Sequence, residues 1–189
     1  MIISENAYNE IIVQKSKFIT YLYKVNNKEK FLEYYELLKK QYKDASHICY
    51  AYIINQEIKY SDDNEPNGTA GLPIYEVLKK NNLNYIACFI IRYFGGIKLG
   101  TKGLLRAYSN SVSLALKNIN IVSIEPSFKI KVQIDYSKVS ILENIIDKKN
   151  ILESSFQDYI IYKLIVNKDI LNKLELNKIS YIILEENNF

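Results

Sequence analysis

Arg92-Tyr93-Phe94-Gly95-Gly96-Ile97-Lys98-Leu99-Gly100-Thr101-Lys102-Gly103-Leu104-Leu105-Arg106-Ala107-Tyr108 is the stretch from which the fold is read. Before it, Tyr85 to Tyr93 is apolar on both alternating faces, the pattern of a central strand covered on each side. After it, Leu104, Leu105, Tyr108, Val112 and Leu116 recur at helical spacing. The stretch is therefore a glycine-rich turn that joins a strand to a helix and carries cations. The chain has only 6 glycines, all between Gly68 and Gly103, divided between this turn and an earlier loop, Ser61-Asp62-Asp63-Asn64-Glu65-Pro66-Asn67-Gly68-Thr69-Ala70-Gly71. Glycine is useful where φ is positive or where something approaches the backbone closely. The sequence thus predicts that these two loops hold all of the special backbone.

Upstream, Ile11 to Val13 and Phe18 to Val25 read as strands around a polar Gln14-Lys15-Ser16-Lys17 turn. Asn26 or Asn27 can cap a helix carrying Phe31, Tyr34, Tyr35, Leu38 and Tyr42 on one stripe. His47 to Ile54 and Gln56 to Tyr60 read as strands, and Leu72 to Lys80 as a helix with Pro73 in its first turn. Downstream, Ile119 to Ile124 suits an edge strand, and Glu125-Pro126-Ser127 marks a boundary because proline breaks both regular structures.

Beyond it the pattern restarts. Strand Phe128–Ile134, helix Ser137–Lys148, strands Ile151–Gln157 and Ile160–Val166, helix Lys168–Leu176 and strand Tyr181–Leu184 give β-α-β-β-α-β over about 60 residues, the ferredoxin-like motif. The expected class is α+β, with two domains at 1–125 and 126–189.

The 189 residues can bury a real core. A net charge of +4, from 25 basic and 21 acidic residues, permits an anionic partner without requiring one. No signal-peptide pattern and no run near the roughly 20 apolar residues that span a bilayer is present. A cytoplasmic protein without membrane attachment is expected. Cys49 and Cys88 sit in strand-like apolar runs and read as buried free thiols. The 17 tyrosines accompany abundant Lys, Asn and Ile, a bias that favours ordinary packing over a nucleic-acid stacking platform at Tyr21, Tyr23, Tyr50 and Tyr52.

Three constellations bear on chemistry. If Thr101 caps the helix, the N–H groups of Lys102, Gly103 and Leu104 face outward at its positive end, where an anion is favoured. Lys102 and Arg106 share a face there, with Lys98 and Arg92 just upstream. The alternative is a tight join with solvated cations; the segment matches neither the P-loop nor the G-x-G-x-x-G pattern. In the second loop, Asp62, Asp63 and Glu65 can either ligate a hard cation or bond backbone N–H groups in an Asx-type turn, and the turn is favoured. His47 is the only histidine, so a multi-histidine metal site is excluded. On a strand it shares a face with Cys49, leaving a Cys-His pairing conceivable beside the plainer reading of a strand-end polar residue and a buried thiol.

The two glycine loops, with Ala45-Ser46-His47-Ile48-Cys49-Tyr50-Ala51-Tyr52 as a third ordered block, resemble the signature of the YigZ/IMPACT family, also called UPF0029. The likeness covers about the first two thirds of the chain, and the remainder is similar to the small C-terminal domain, DUF1949, of bacterial members. It implies an N-terminal domain of the ribosomal protein S5 domain 2-like fold and a ferredoxin-like C-terminal domain similar to a domain of elongation factor G. Eukaryotic relatives modulate translation under amino-acid starvation through an additional N-terminal domain, so their partner is not carried over. Asn64 and Lys102 stand where the family usually has Gly; Asn tolerates left-handed backbone, and Lys102 adds a cation.

The resulting expectation is a non-enzymatic regulator linked to translation that binds RNA or ribosomal components. The residues assigned to anion or nucleic-acid binding are Arg92, Gly95, Gly96, Lys98, Gly100, Thr101, Lys102, Gly103 and Arg106. Asp62, Asp63, Glu65, Gly68, Thr69 and Gly71 form a second loop, with His47 beside it. No catalytic residue, metal or cofactor is assigned. An enzyme holding a small phosphorylated substrate between the loops, and a protein-protein adaptor, stand as alternatives.

Overall fold

In a computed structural model, residues 1–123 and 126–187 are described, and the chain divides after Ser123 into two units. Ile124 and Glu125, parts of the expected edge strand and boundary, lie outside the described residues.

The first unit is built on a hairpin of β2 (Ala7–Val13) and β3 (Ser16–Lys24), paired from Ala7↔Leu22 to Val13↔Ser16. Its connection is the two residues Gln14 and Lys15, both at positive φ, rather than the expected four-residue turn. Two left-handed residues match the twist of a hairpin and let the strands run to the turn. After α1 (Lys28–Gln41), capped by Asn27 accepting from Lys30 N–H at 2.8 Å, come β4 (His47–Ile54), β5 (Glu57–Ser61), α2 (Gly71–Lys80), β6 (Ile86–Tyr93) and α3 (Gly100–Lys117). The strands order β2-β3-β6-β4-β5, antiparallel throughout, so β6 is central, as its unbroken apolar run predicts.

The two faces of that sheet carry separate cores. Cys88 and Ile90 point with Ile74, Leu78, Tyr108 and Val112 into the layer under α2 and α3. Ala87, Phe89 and Ile91 point the other way, against Phe31 and Leu38 of α1. Each large apolar side chain fully removed from water contributes roughly 1.5–3 kcal/mol, so the alternation along β6 stabilises both layers. Tyr21, Tyr23, Tyr50 and Tyr52 belong to the second layer: Tyr23 stacks on Tyr34 at 4.0 Å, and the Tyr21 and Tyr42 hydroxyls bond at 2.6 Å. They are packed side chains, as the composition bias suggests. A short strand absent from the sequence reading, β1 (Ile2–Ile3), pairs with β7 (Ile121–Val122).

In the second unit β8 (Ser127–Ile134), α4 (Val139–Ile145), β9 (Ile151–Phe156), β10 (Ile160–Asn167), α5 (Lys168–Leu176) and β11 (Tyr181–Asn187) form an antiparallel sheet ordered β11-β8-β10-β9. Ile130, Val132, Tyr162 and Leu164 pack with Leu142, Leu171 and Leu174. The helix expected to reach Lys148 stops at Ile145. Asp147 and Asn150 cap a separate 3-10 turn, and Ile146 becomes extended ahead of it.

Special backbone is not confined to the glycine loops. Gln14, Lys15, Asn55, Asn82, Tyr85 and Lys178 lie outside them at positive φ, and Asp63 and Asn64 lie inside. Four of these eight are Asn or Asp, the residues that tolerate left-handed backbone best. Among the described residues no helix is long and apolar enough to cross a membrane.

Candidate functional site: a cleft between the glycine loops

The loop after β5 is organised by one carboxylate. Asp62 Oδ1 accepts from Ala70 N–H at 2.9 Å and Gly71 N–H at 2.8 Å, and Oδ2 accepts from Gly68 N–H at 2.8 Å. Ala70 and Gly71 open α2, whose cap residue supplies no side-chain acceptor, so Asp62 satisfies orphan helix donors from outside. Asp63 Oδ2 accepts from Ile48 N–H at 2.6 Å, tying the loop to β4, while the Thr69 hydroxyl donates to Pro66 O at 2.6 Å. Gly71 is required by contact, since a Cβ there would lie 2.7 Å from Ser61 N. Asp62 and Asp63 thus bond backbone N–H groups, but six or more residues away rather than in a local Asx turn, and Glu65 pairs with Arg92 instead. Among the described residues no group of three or more His, Cys, Asp and Glu is arranged to hold a metal ion.

His47 and Cys49 share a face of β4 as expected, and both reach this loop rather than each other. His47 Nδ1 lies 2.7 Å from the Asp63 carbonyl, which only accepts, so Nδ1 carries the proton. Nε2 is then 3.9 Å from Glu65 Oε1. Cys49 Sγ lies 3.0 Å from Asp62 O and 3.3 Å from the Tyr108 hydroxyl. Burial pushes the Cys49 thiol far above its ordinary range, outweighing the Tyr108 hydrogen bond. A thiolate nucleophile is thus disfavoured and the Cys-His pairing is not formed.

Glu65 and Arg92 form a buried pair. Arg92 Nη1 donates to Glu65 Oε1 at 2.5 Å, with the side chains 5% and 3% exposed. The Tyr108 hydroxyl donates to the same oxygen at 2.8 Å, and burial also raises the pKa of that hydroxyl well above its usual value. Arg92 Nη2 donates to Ser16 Oγ at 3.3 Å, and its guanidinium lies over the Phe18 and Phe94 rings, 5.4 and 5.7 Å from their centroids. Its Nε is buried without a partner. Arg92 is therefore not a mobile cation of the turn; its charge is matched by Glu65.

The second loop starts where β6 ends. Phe94 N–H donates to Ser46 Oγ at 3.0 Å and Gly95 N–H to Ser16 Oγ at 3.2 Å. Gly95 presses on the hairpin turn, for a Cβ there would lie 2.0 Å from Lys15 C. The helix begins one residue before Thr101. Leu99 is already right-handed and occupies the cap position without a side-chain hydrogen bond, and no acidic residue lies in the first turn. Thr101 and Lys102 are exposed inside that turn, and Lys98 and Arg106 are exposed nearby. Among the described residues no carboxylate forms an ion pair with Lys98, Lys102 or Arg106.

Both loops line one cleft of about 310 Å³. Glu65 and Pro66 come from the acidic loop, Arg92 and Phe94 from the end of β6, and Lys98, Leu99, Gly100, Thr101 and Leu104 from the cationic turn. The two glycine loops thus adjoin in space. Gly68, Gly96, Gly103, Lys102 and Arg106 shape or flank the loops rather than line the cleft. Sequence reasoning missed Phe94, Tyr108 and Ser16. Tyr108 carries the helical core period and is core, with its polar tip turned to Glu65; Ser16 has no local signal.

A two-unit α+β chain with paired glycine loops around one cleft defines a class of proteins, and the comparisons give that class a family. The Impact N-terminal domain profile matches residues 14–116. The IMPACT family member YvyE of Bacillus subtilis is 42% identical over 145 residues, 75% of this chain and 67% of that protein. The IMPACT family member YigZ of Escherichia coli is 30% identical over 158 residues, 80% of this chain and 78% of that one. The chain belongs to the IMPACT family. A crystal structure of a hypothetical protein shares its fold at a TM-score of 0.65 and 24% identity, covering 97% of this chain and 96% of that chain.

Proposed function

We propose that the chain is a cytoplasmic, non-enzymatic regulator linked to translation that binds RNA or RNA-bearing ribosomal components through the cleft between its glycine loops. The observation that carries this reading is the mouth of that cleft, where the uncapped start of α3 meets Lys98 while the Arg92 charge is already matched by Glu65. Amide donors at a helix start favour phosphate oxygens, and the unmatched cations Lys98, Lys102 and Arg106 supply the sequence-independent attraction typical of phosphate-backbone binding. The family resemblance supports translation as the process, since its eukaryotic members act there.

The same reading takes residues 1–125 as a ribosomal protein S5 domain 2-like domain. It takes residues 126–189 as a ferredoxin-like DUF1949 domain, with the β11-β8-β10-β9 strand order as support.

Binding of total RNA and of ribosomes to the full chain is expected to fall steeply with salt. The triple variant Lys98→Ala/Lys102→Ala/Arg106→Ala is expected to flatten that dependence by about 0.7 in logarithmic slope per lost phosphate contact. Absence of association at low salt, or identical salt curves for wild type and triple variant, rejects the reading. The shared cleft also favours a second reading, an enzyme holding a small phosphorylated substrate beside Glu65. Turnover of a phosphorylated metabolite pool that is lost in Glu65→Gln, while hydrogen exchange at the Ile90 amide shows the first unit still folded, would establish it.

A further inference from the structure

Resting on that reading, we propose that the cleft recognises single-stranded nucleic acid one nucleotide at a time, with the exposed ring of Phe94 stacking a base while the start of α3 and Lys98 hold the adjoining phosphate. Phe94 is 50% exposed on the wall of the cleft, between two segments that are otherwise well anchored. A singly exposed hydrophobic residue needs no explanation by itself. Phe94 differs because it is held in place. Its own N–H is bonded to Ser46, the next N–H is bonded to Ser16, and Gly95 is pressed against the hairpin. The Arg92 guanidinium lies over the Phe94 ring, 5.7 Å from the centroid, and also 5.4 Å from the Phe18 centroid. Phe94 thus keeps a cation–π contact with Arg92 on the wall of the cleft while half of its surface stays open to solvent.

Arg92 backs that wall of the cleft. The residue is 4% exposed and lines the cleft, yet its Nε lacks any hydrogen-bond partner, an unusual state for a buried charged donor. Its charge is matched by Glu65 and its Nε is out of reach of solvent, so holding an anion in the cleft falls to Lys98 and the amides of the uncapped helix start. The volume, about 310 Å³, is at the small end of the roughly 300–1,000 Å³ typical of ligand clefts, enough for one nucleotide and not for a duplex. Bases inside a duplex are already stacked on one another, whereas those of a single strand can be splayed onto an aromatic side chain. Every base has a π-face, so recognition of this kind tolerates sequence.

The test uses the full chain and fluorescence anisotropy with three labelled probes of equal length: a single-stranded RNA of about 12 nucleotides, the same RNA as a duplex, and an abasic strand of matching charge. The single strand is expected to bind more tightly than either other probe. Phe94→Ala is expected to weaken single-strand binding by about 5- to 100-fold while leaving abasic binding unchanged, and Phe94→Tyr to stay near wild type. Salt-sensitive binding that is the same for all three probes and indifferent to Phe94→Ala overturns the stacking proposal and leaves the RNA-binding reading intact. No binding to any probe overturns both.

Discussion

Truncating Arg92 to alanine is expected to cost the first unit about 4 kcal/mol, because it strands a charge in the core. The Glu65 side chain is 3% exposed and its Oε1 receives the Arg92 Nη1 bond at 2.5 Å. Removing one partner of a buried ion pair costs about 3–5 kcal/mol, chiefly through the uncompensated charge left behind. The Tyr108 hydroxyl, 2.8 Å from the same oxygen, stays in place and moderates the loss, which argues for about 3 kcal/mol. The guanidinium also leaves its contacts with Phe18 and Phe94, and cation–π contacts contribute about 0.5–2 kcal/mol. The total is a large part of the roughly 5–15 kcal/mol that holds a domain folded.

Native-state hydrogen exchange at the amides of Phe89, Ile90 and Ile91, in the central strand, reports the opening of this unit by itself. Replacing both partners with apolar residues, Glu65→Leu/Arg92→Met, removes the stranded charge and is expected to recover at least half of the loss. A double-variant cost equal to the sum of the single costs, or an Arg92→Ala cost under about 1 kcal/mol, would refute the argument from burial.

Two further expectations come from packing. Gly95→Ala places a methyl group 2.0 Å from Lys15 C in the hairpin turn, so it should destabilise by about 3 kcal/mol, the upper end of overpacking costs; thermal melting of the full chain checks this, and an unchanged midpoint contradicts the contact. Burial pushes Tyr21 and Tyr23 up to about 12. The folded state therefore holds these protons more tightly than the unfolded chain, so their contribution to stability is complete below the ordinary tyrosine pKa of about 10 and is lost as pH rises towards 12. Tyrosinate absorbance should show this late-titrating class. Tyr34→Ala, which uncovers the Tyr23 ring now stacked at 4.0 Å, should move Tyr23 down, and a native chain whose tyrosines all titrate near their ordinary pKa refutes the packing.

How much of this was legible depended on whether a signal was local. The apolar run ending at Tyr93 fixed the central strand because both of its faces are covered, and the helical repeat of Leu104, Tyr108 and Val112 marked α3 equally well. Asp62 was legible as a carboxylate bonding backbone N–H groups because its amide partners lie within nine residues. The left-handed Gln14 and Lys15 were not, since neither is a residue that turns prefer; strand pairing imposes that geometry. β1 was too short to leave a pattern.

The Glu65–Arg92 pair, 27 residues apart, is the case that changes the reading of the site. In sequence Arg92 counts with Lys98, Lys102 and Arg106 as one cationic group. Folding β6 against the loop after β5 withdraws Arg92 into the core and leaves the other three without acidic partners among the described residues. The start of α3 then differs from those of α1, α2 and α5: α2 likewise has no side-chain cap and no first-turn acid of its own, but Asp62 bonds the amides that open it. α1 has Asn27 as a cap and Glu29 in its first turn, and α5 has Asn167 and Asp169, both matching the positive end of the helix dipole. α3 has no side-chain cap and no acid in its first turn, and Lys102 stands inside that turn. Cations at this end cost about 0.3–1 kcal/mol each. Departures from local consistency concentrate where a protein binds something, and an anion is the one addition that would satisfy the amides, the dipole and the lysines together.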